Sequence, residues 1–190
     1  MKGMKYHDYI WDLGGTLLDN YETSTAAFVE TLALYGIKQD HDSVYQALKV
    51  STDFAIETFA PNLENFLEKY KENEARELEH PILFDGVADL LKDISNQGGR
   101  HFLVSHRNNQ VLEILEKTSI AAYFTEVVTS SSGFKRKPNP ESMIYLREKY
   151  QISTGLVIGD RPIDIEAGQA AGLDTYLFTS IVNLRQVLDM

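Results

Sequence analysis

The chain has 190 residues, which suits one domain or a core with a small insertion, and 43% of them are hydrophobic, enough for a packed interior. Acidic residues outnumber basic ones by 28 to 18 for a net charge of −10, without a long basic cluster, so nucleic acid is not an expected partner. The absence of cysteine excludes a disulfide scaffold and a thiolate zinc site. No apolar signal opens the chain and no run of about 18 apolar residues occurs, so we expect no membrane partner and a cytoplasmic location.

The first part of the chain reads as one strand followed by helices. Residues 6–11 form a β-like run that ends in Asp12, and a Gly-Gly turn follows. From Thr23 to about Glu79 apolar residues recur at near-helical spacing, with Thr23 or Ser24 as a possible cap and a break near Pro61. This stretch of about 60 residues contains no convincing strand.

After Pro81 the pattern changes to alternating strands and helices. It predicts strands at 101–105, 124–129, 155–160 and 174–178, and helices at 110–117, 140–150 and 163–171 with one more at the end. Asn139 is the expected cap of the helix at 140–150, and Gly172 is expected to close the one before the last strand. Alternation of this kind predicts an α/β fold with a parallel sheet and helices on both faces.

The order of these elements also predicts two structural units. Residues 1–17 and 81–190 are assigned to the α/β core, and residues 18–80 to a helical insertion after the first strand. Because the insertion directly follows the turn that carries Asp12, we interpret it as a candidate lid. The alternative is a helical appendage that only packs and has no moving role.

Polar residues follow three of the predicted strands at the point where each strand ends. Asp12, Ser105 and Asp160 occupy these positions, and Lys137 lies in the loop after a further strand. In open parallel sheets, ligands bind beyond the carboxyl ends of the strands. Two carboxylates, one hydroxyl and one ammonium at that edge suit a phosphoryl group with Mg²⁺, which prefers oxygen ligands. A carboxylate there can act as a nucleophile and form an acyl-phosphate.

Four segments resemble the motifs of one known family. Residues 12–19 read DLGGTLLD and resemble its first motif, DxDGTLxD, and Ser105 resembles the Ser or Thr of its second motif. Residues 137–140 read KPNP and resemble KPxP, and residues 159–164 read GDRPID and resemble GDxxxD. Their order and spacing identify the chain as a member of the haloacid dehalogenase-like hydrolase superfamily. The helical insertion is similar to the cap of its phosphoglycolate phosphatase and β-phosphoglucomutase subfamily.

The resemblance implies a Rossmann-like core, Mg²⁺ as cofactor and a small phosphorylated metabolite as substrate. It implies that Asp12 is the nucleophile and a metal ligand, and that the main-chain carbonyl of Gly14 is another ligand. Asp160 would hold the metal, and Asp164 would support it. The sequence carries no indication of oligomeric state.

The resemblance also assigns the phosphate-binding residues. Ser105 and Lys137 would bind the phosphate, and Lys137 would also orient Asp12. His106, directly after Ser105, is a further candidate for phosphate contact. Asp12, Ser105 and Lys137 therefore form the expected catalytic set.

The chain departs from the family pattern at position 14. Phosphatases of the family carry an Asp there that acts as general acid and base, whereas this chain has Gly14. Three explanations are open. In the first, His106 replaces the acid. In the second, the reaction does not need the acid, as in dehalogenases or in phosphonatases, for whose cap lysine Lys49 and Lys69 are candidates. In the third, the protein binds a phosphorylated ligand and catalyses little.

The first motif is also compatible with a different class of protein, a kinase. The segment DLGGT at residues 12–16 also resembles the phosphate loop of sugar kinases with an actin-like fold. In those kinases the Thr leads into a β-hairpin, whereas here a helical pattern follows residue 20. They also need two related lobes, and the other three motifs have no place in them. The sequence therefore favours the hydrolase.

Overall fold

The computed structural model describes residues 3–190, which divide into two compact units, residues 3–18 with 83–190 and residues 19–82. The first unit contains a parallel sheet of five strands in the order β3-β2-β1-β4-β5. Its strands are β1 (Asp8–Trp11), β2 (Arg100–Val104), β3 (Phe124–Val128), β4 (Gly155–Gly159) and β5 (Asp174–Leu177). The central strand β1 pairs in parallel with β2 on one side and with β4 on the other.

Five helices cover the two faces of this sheet: α5 (Val87–Asn96), α6 (Gln110–Lys117), α7 (Glu141–Lys149), α8 (Pro162–Ala170) and α9 (Ile181–Leu188). Side chains of β1 alternate between two hydrophobic clusters, because successive strand residues point to opposite faces. Tyr9 and Trp11 pack with α5, α6 and α9, whereas Ile10 packs with α7 and α8. The predicted α/β core with helices on both faces is therefore confirmed.

The second unit is all-helical. It contains α1 (Asn20–Leu34), α2 (His41–Val50), α3 (Thr52–Phe59) and α4 (Phe66–Glu77). Its interior is centred on Phe28, whose ring packs edge-on against Phe66 and Tyr70 with centroids 5.0 and 5.2 Å apart. Such aromatic pairs add stability beyond the apolar area that they bury. The helical insertion therefore has a hydrophobic core of its own.

Three details of the helices differ from the sequence expectation. The N-cap of α7 is Pro140 and not Asn139, although the Asn139 side chain accepts from the backbone N–H of Glu141 at 3.0 Å. The first helix is capped by Asp19, whose side chain accepts a hydrogen bond from the backbone N–H of Glu22, and not by Thr23 or Ser24. An aspartate cap is favourable because its negative charge also complements the helix dipole. Helix α5 is an element that the pattern analysis did not identify. Within residues 3–190, no helix is both long and apolar enough to cross a bilayer.

Candidate active site

The candidate site begins where the order of strands reverses, between β1 and β4. Asp12 directly follows β1 and Asp160 directly follows β4, and the two strands are neighbours in the sheet. The backbone N–H of Asp12 donates to the carbonyl of Ile158 at 2.9 Å, so the ladder continues one residue past β1. This topology therefore holds the two carboxylates side by side at the edge where parallel sheets bind ligands.

A buried lysine joins the carboxylates. The side chain of Lys137 is 1% exposed, and its ammonium donates to Asp12 Oδ1 at 2.8 Å and to Asp164 Oδ1 at 2.6 Å. Its third hydrogen bond goes to the carbonyl of Val104 at 3.1 Å, at the end of β2. The following peptide bond, to Pro138, is cis. All three protons of the ammonium are thus used, which fixes Asp12 relative to Asp164.

The carboxylates of Asp12, Asp160 and Asp164 lie within 4.8 Å of one another. Burial and the charge of Asp12 raise the pKa of Asp160 to about 6, and the same two causes raise the pKa of Asp164. Asp12 Oδ2 is buried, and none of the described residues donates a hydrogen bond to it. Three carboxylates with one ammonium leave an excess of negative charge and an unused oxygen, a donor set that fits a hard divalent cation such as Mg²⁺.

The other expected metal ligands differ in how many of their oxygens already accept hydrogen bonds. Both oxygens of Asp164 are used, because Oδ2 accepts from the backbone N–H of Arg161 at 3.2 Å. Asp160 Oδ1 lies 3.4 Å from the hydroxyl of the buried Thr16. Gly14 forms an isolated β-bridge with Leu18. The hydrogen bond of this bridge runs from the N–H of Gly15 to the carbonyl of Leu18 at 2.9 Å, so it does not use the Gly14 carbonyl.

Two glycines allow the carboxylates to approach the backbone this closely. Gly15 has φ +81°, and a Cβ at this position would lie 2.2 Å from Asp160 Oδ2. A Cβ on Gly159 would lie 2.3 Å from the side chain of Asp164. Only glycine accommodates both approaches, and a positive φ strains other residues. Gly14 does not share the positive φ of its neighbour, so its backbone conformation does not by itself require glycine.

Ser105 and His106 follow the neighbouring strand β2. The Ser105 hydroxyl accepts a hydrogen bond from the backbone N–H of Arg107 at 3.1 Å, which leaves its own proton free to donate. His106 Nε2 accepts from the backbone N–H of Lys137 at 2.9 Å, and its Nδ1 lies 3.2 Å from the guanidinium of Arg136. His106 therefore contacts the loop that carries Lys137.

The His106 imidazole is held neutral by its surroundings. Burial, together with the positive charges of Lys137, Arg136 and Arg161, lowers its pKa to about 4. Both ring nitrogens face donor groups, and an imidazolium has no acceptor to offer them. A neutral imidazole is too weak an acid to protonate a leaving oxygen efficiently near pH 7, so the structure does not favour His106 as a replacement for the missing acid.

Most of the expected site residues are brought together directly. Lys137 contacts Asp12 and Asp164, and Asp160 completes the carboxylate cluster. His106 contacts the backbone of Lys137, Gly14 lies two residues after Asp12, and Ser105 directly follows Val104, whose carbonyl accepts from Lys137. The sequence analysis did not identify the cations Arg136 and Arg161, although each is adjacent to a motif residue, a signal that could have found them.

Comparisons with known proteins agree with this geometry. Residues 9–178 match the family model described as haloacid dehalogenase-like hydrolase. A phosphoglycolate phosphatase of Vibrio parahaemolyticus is 28% identical over 189 residues, covering 89% of this chain and 82% of the relative. The pyrophosphatase PpaX of Oceanobacillus iheyensis is 25% identical over 180 residues, covering 90% and 83%.

A solved structure is also similar along its full length. The crystal structure of a hydrolase from Streptococcus pneumoniae TIGR4 is 95% identical, with a TM-score of 0.96, and the match covers 98% of this chain and 100% of that one. The family model covers most of the chain and includes all four motifs and the carboxylate cluster. The chain therefore belongs to the haloacid dehalogenase-like hydrolase family.

Proposed function

We propose that this enzyme is a magnesium-dependent phosphatase of a small phosphorylated metabolite, which works through an aspartyl-phosphate on Asp12. The observation that carries the proposal is the buried contact of Lys137 with Asp12 and Asp164 beside Asp160. Burying a charged lysine and its carboxylate partners carries a desolvation cost, so such a cluster is weak evidence for stabilisation and supports a functional role. The four groups lie where the strand order reverses, the place at which this sheet type binds ligands.

Each residue has a chemical task in this proposal. An oxygen of Asp12 attacks the phosphorus while Lys137 holds the carboxylate in place and offsets the charge of the phosphoryl oxygens. The free proton of the Ser105 hydroxyl is available to a phosphate oxygen. Water then hydrolyses the aspartyl-phosphate and restores Asp12.

The metal would be held by Asp12, Asp160 and the carbonyl of Gly14. Asp164, whose oxygens are both in use, would support Lys137 and the loop after β4. When bound, Mg²⁺ supplies positive charge that lowers the energy of the transferring phosphoryl group. The negative excess of the carboxylate cluster supports this assignment.

Gly14 sets the expected limit on turnover. General acid–base catalysis typically contributes ~10²–10⁴-fold, and no carboxyl is available at this position. His106 contacts the Lys137 loop and is held neutral, so its proposed task is to position that loop beside the phosphate. We therefore expect slow hydrolysis of ordinary alkyl phosphates.

The phosphonatase alternative has less support. A lysine that forms a Schiff base must lose its proton, which burial promotes. The two candidates in the helical unit are exposed, and each lies over a tyrosine ring: Lys49 at 5.8 Å from Tyr45 and Lys69 at 4.6 Å from Tyr35. The ligand-binding alternative remains the main competitor of the phosphatase. The relatives are named for different phosphates, so their names do not choose a substrate.

The test is release of phosphate from p-nitrophenyl phosphate and from an alkyl phosphate, with Mg²⁺ or with EDTA. Wild type is compared with Asp12→Asn, Gly14→Asp and Gly14→Asn. We expect slow Mg²⁺-dependent turnover by wild type and none by Asp12→Asn. Gly14→Asp should accelerate alkyl phosphate hydrolysis on the order of 10²-fold, whereas Gly14→Asn, which has the same shape without the acid, should not.

The competing function gives a different result. A phospho-ligand-binding protein would release no phosphate with any of the four chains, in Mg²⁺ or in EDTA. It would still bind phosphate or a phosphorylated ligand, which calorimetry measures. That pair of results would replace the phosphatase by a binding function.

A further inference from the structure

Two arginines beside the candidate site carry charges that no carboxylate balances. Arg136 directly precedes Lys137, and Arg161 directly follows Asp160. Both are exposed, and within the described residues 3–190 neither forms a salt bridge. Three other arginines of the same unit do have carboxylate partners: Arg100, Arg147 and Arg185, of which the last lies 2.7 Å from Asp93. We call Arg136 and Arg161 the arginine pair.

The arginine pair flanks the groups of the candidate site. The guanidinium of Arg136 lies 3.2 Å from His106 Nδ1, whereas Arg161 directly follows Asp160 in the chain, and its positive charge contributes to the lowered pKa of His106. The Asp12 carboxylate acts on this imidazole too, so all of these groups share one neighbourhood. In a chain of net charge −10, two guanidinium groups without a salt bridge among the described residues are a local positive charge that favours an anion.

Gly14 limits which leaving groups such a site can serve. A sugar or glycerol oxygen leaves as a strongly basic alkoxide and needs a proton from a general acid. A phosphate leaving group is a weak base and departs as an anion without that proton. It carries more charge as it leaves, and positive groups near the departing oxygen stabilise this charge.

We propose that the preferred substrates are phosphoanhydrides, in which the phosphoryl group leaves from another phosphate, and that the arginine pair binds this anionic leaving group. The inference rests on the proposed phosphatase function and names its substrate class. It accounts for two features together: the missing acid at position 14 and the unpaired charges of Arg136 and Arg161.

The reaction balances without a proton from the enzyme in its first step. An oxygen of Asp12 forms a bond to the terminal phosphorus, and the bond from this phosphorus to the bridging oxygen breaks. The electron pair stays on the bridging oxygen, which leaves as part of a phosphate anion. A water oxygen then bonds to the phosphorus, the bond to Asp12 breaks and returns its electron pair to the carboxylate, and the proton of the water passes to solvent.

The test compares kcat/KM for inorganic pyrophosphate, p-nitrophenyl phosphate and glycerol 3-phosphate, each with Mg²⁺, because kcat/KM reports the steps up to formation of the aspartyl-phosphate. We expect kcat/KM for pyrophosphate to exceed kcat/KM for glycerol 3-phosphate by on the order of 10²–10⁴-fold, because only glycerol 3-phosphate needs the missing general acid. Gly14→Asp should reduce this ratio, because it raises kcat/KM for glycerol 3-phosphate.

Two variants test the arginine pair itself. Arg136→Gln and Arg161→Gln should each lower kcat/KM for pyrophosphate about tenfold or more, the loss of one charge-assisted contact. The effect on p-nitrophenyl phosphate, whose leaving group carries no phosphate, should be much smaller. Lys92→Gln removes one positive charge from an exposed position on α5, and it should leave kcat/KM for both substrates unchanged. Far-ultraviolet circular dichroism verifies that the variants fold.

The outcomes separate this inference from the function on which it rests. If glycerol 3-phosphate is hydrolysed as well as pyrophosphate while Asp12→Asn is inactive, the phosphatase stands and the anhydride preference is overturned. If both arginine variants lower kcat/KM for all three substrates equally, the arginine pair is not the leaving-group site. If no substrate, p-nitrophenyl phosphate included, releases phosphate with wild type, the proposed function itself fails.

Discussion

Replacing Lys137 by methionine is expected to destabilise the α/β unit strongly. The change keeps most of the side-chain volume but removes the ammonium that contacts Asp12 and Asp164 at 2.8 and 2.6 Å. Because the Lys137 side chain is 1% exposed, water cannot take its place without rearrangement. Removing one partner of a buried ion pair typically costs about 3–5 kcal/mol, and we expect a loss of this size.

The single tryptophan provides a local measurement. Trp11 is fully buried and precedes Asp12, so its fluorescence follows unfolding of the unit that contains the site. Urea unfolding in metal-free buffer gives the free energy of unfolding for wild type and variant. Lys117→Met is the control, because Lys117 is 40% exposed and its ammonium lies 2.7 Å from Glu113 in a surface pair, and such pairs contribute about 0–1 kcal/mol.

A second substitution tests the cause of the loss. In Lys137→Met with Asp164→Asn, one uncompensated charge disappears, while the amide oxygen can still accept from the backbone N–H of Arg161. The double variant should therefore be more stable than Lys137→Met alone, a coupling that a double-mutant cycle measures. If Lys137→Met lost no more stability than the surface control, the argument that this ammonium balances buried carboxylates would be wrong.

Two further predictions concern His101 on β2 and the glycine turn after β1. Trp11 donates to His101 Nδ1 at 3.0 Å and burial lowers the His101 pKa from 6.5 to about 4, so stability should fall as pH falls through this range, by roughly 2 kcal/mol from pH 7 to pH 5. His101→Gln should show a shallower loss in urea unfolding at the two pH values, and an unchanged slope would contradict the assignment. Gly15→Ala should cost about 1–2 kcal/mol, because φ is +81° and the new Cβ would displace Asp160. It should also reduce Mg²⁺ protection against unfolding, whereas Gly14→Ala should keep it.

The fold could be predicted from the order of elements along the chain. Strands β2 to β5 appear near their predicted positions because short apolar runs bounded by turns depend on local sequence. Helix α5 was missed, although its apolar residues Val87, Leu90, Leu91 and Ile94 share one face. The cap at Asp19 was missed because Thr23 and Ser24 are equally good cap residues by type, and only the path of the chain selects among them.

The sequence by itself determined which groups reach the edge of the sheet. Asp12, Ser105 and Asp160 end parallel strands, and the carboxyl ends of such strands converge whatever the details of packing. Only the tertiary structure decided how loop side chains use that edge. It buried Lys137 between two carboxylates, held His106 neutral and left Arg136 without a salt bridge among the described residues. These outcomes depend on distances between residues far apart in the chain, and charge and pKa follow those distances rather than residue type.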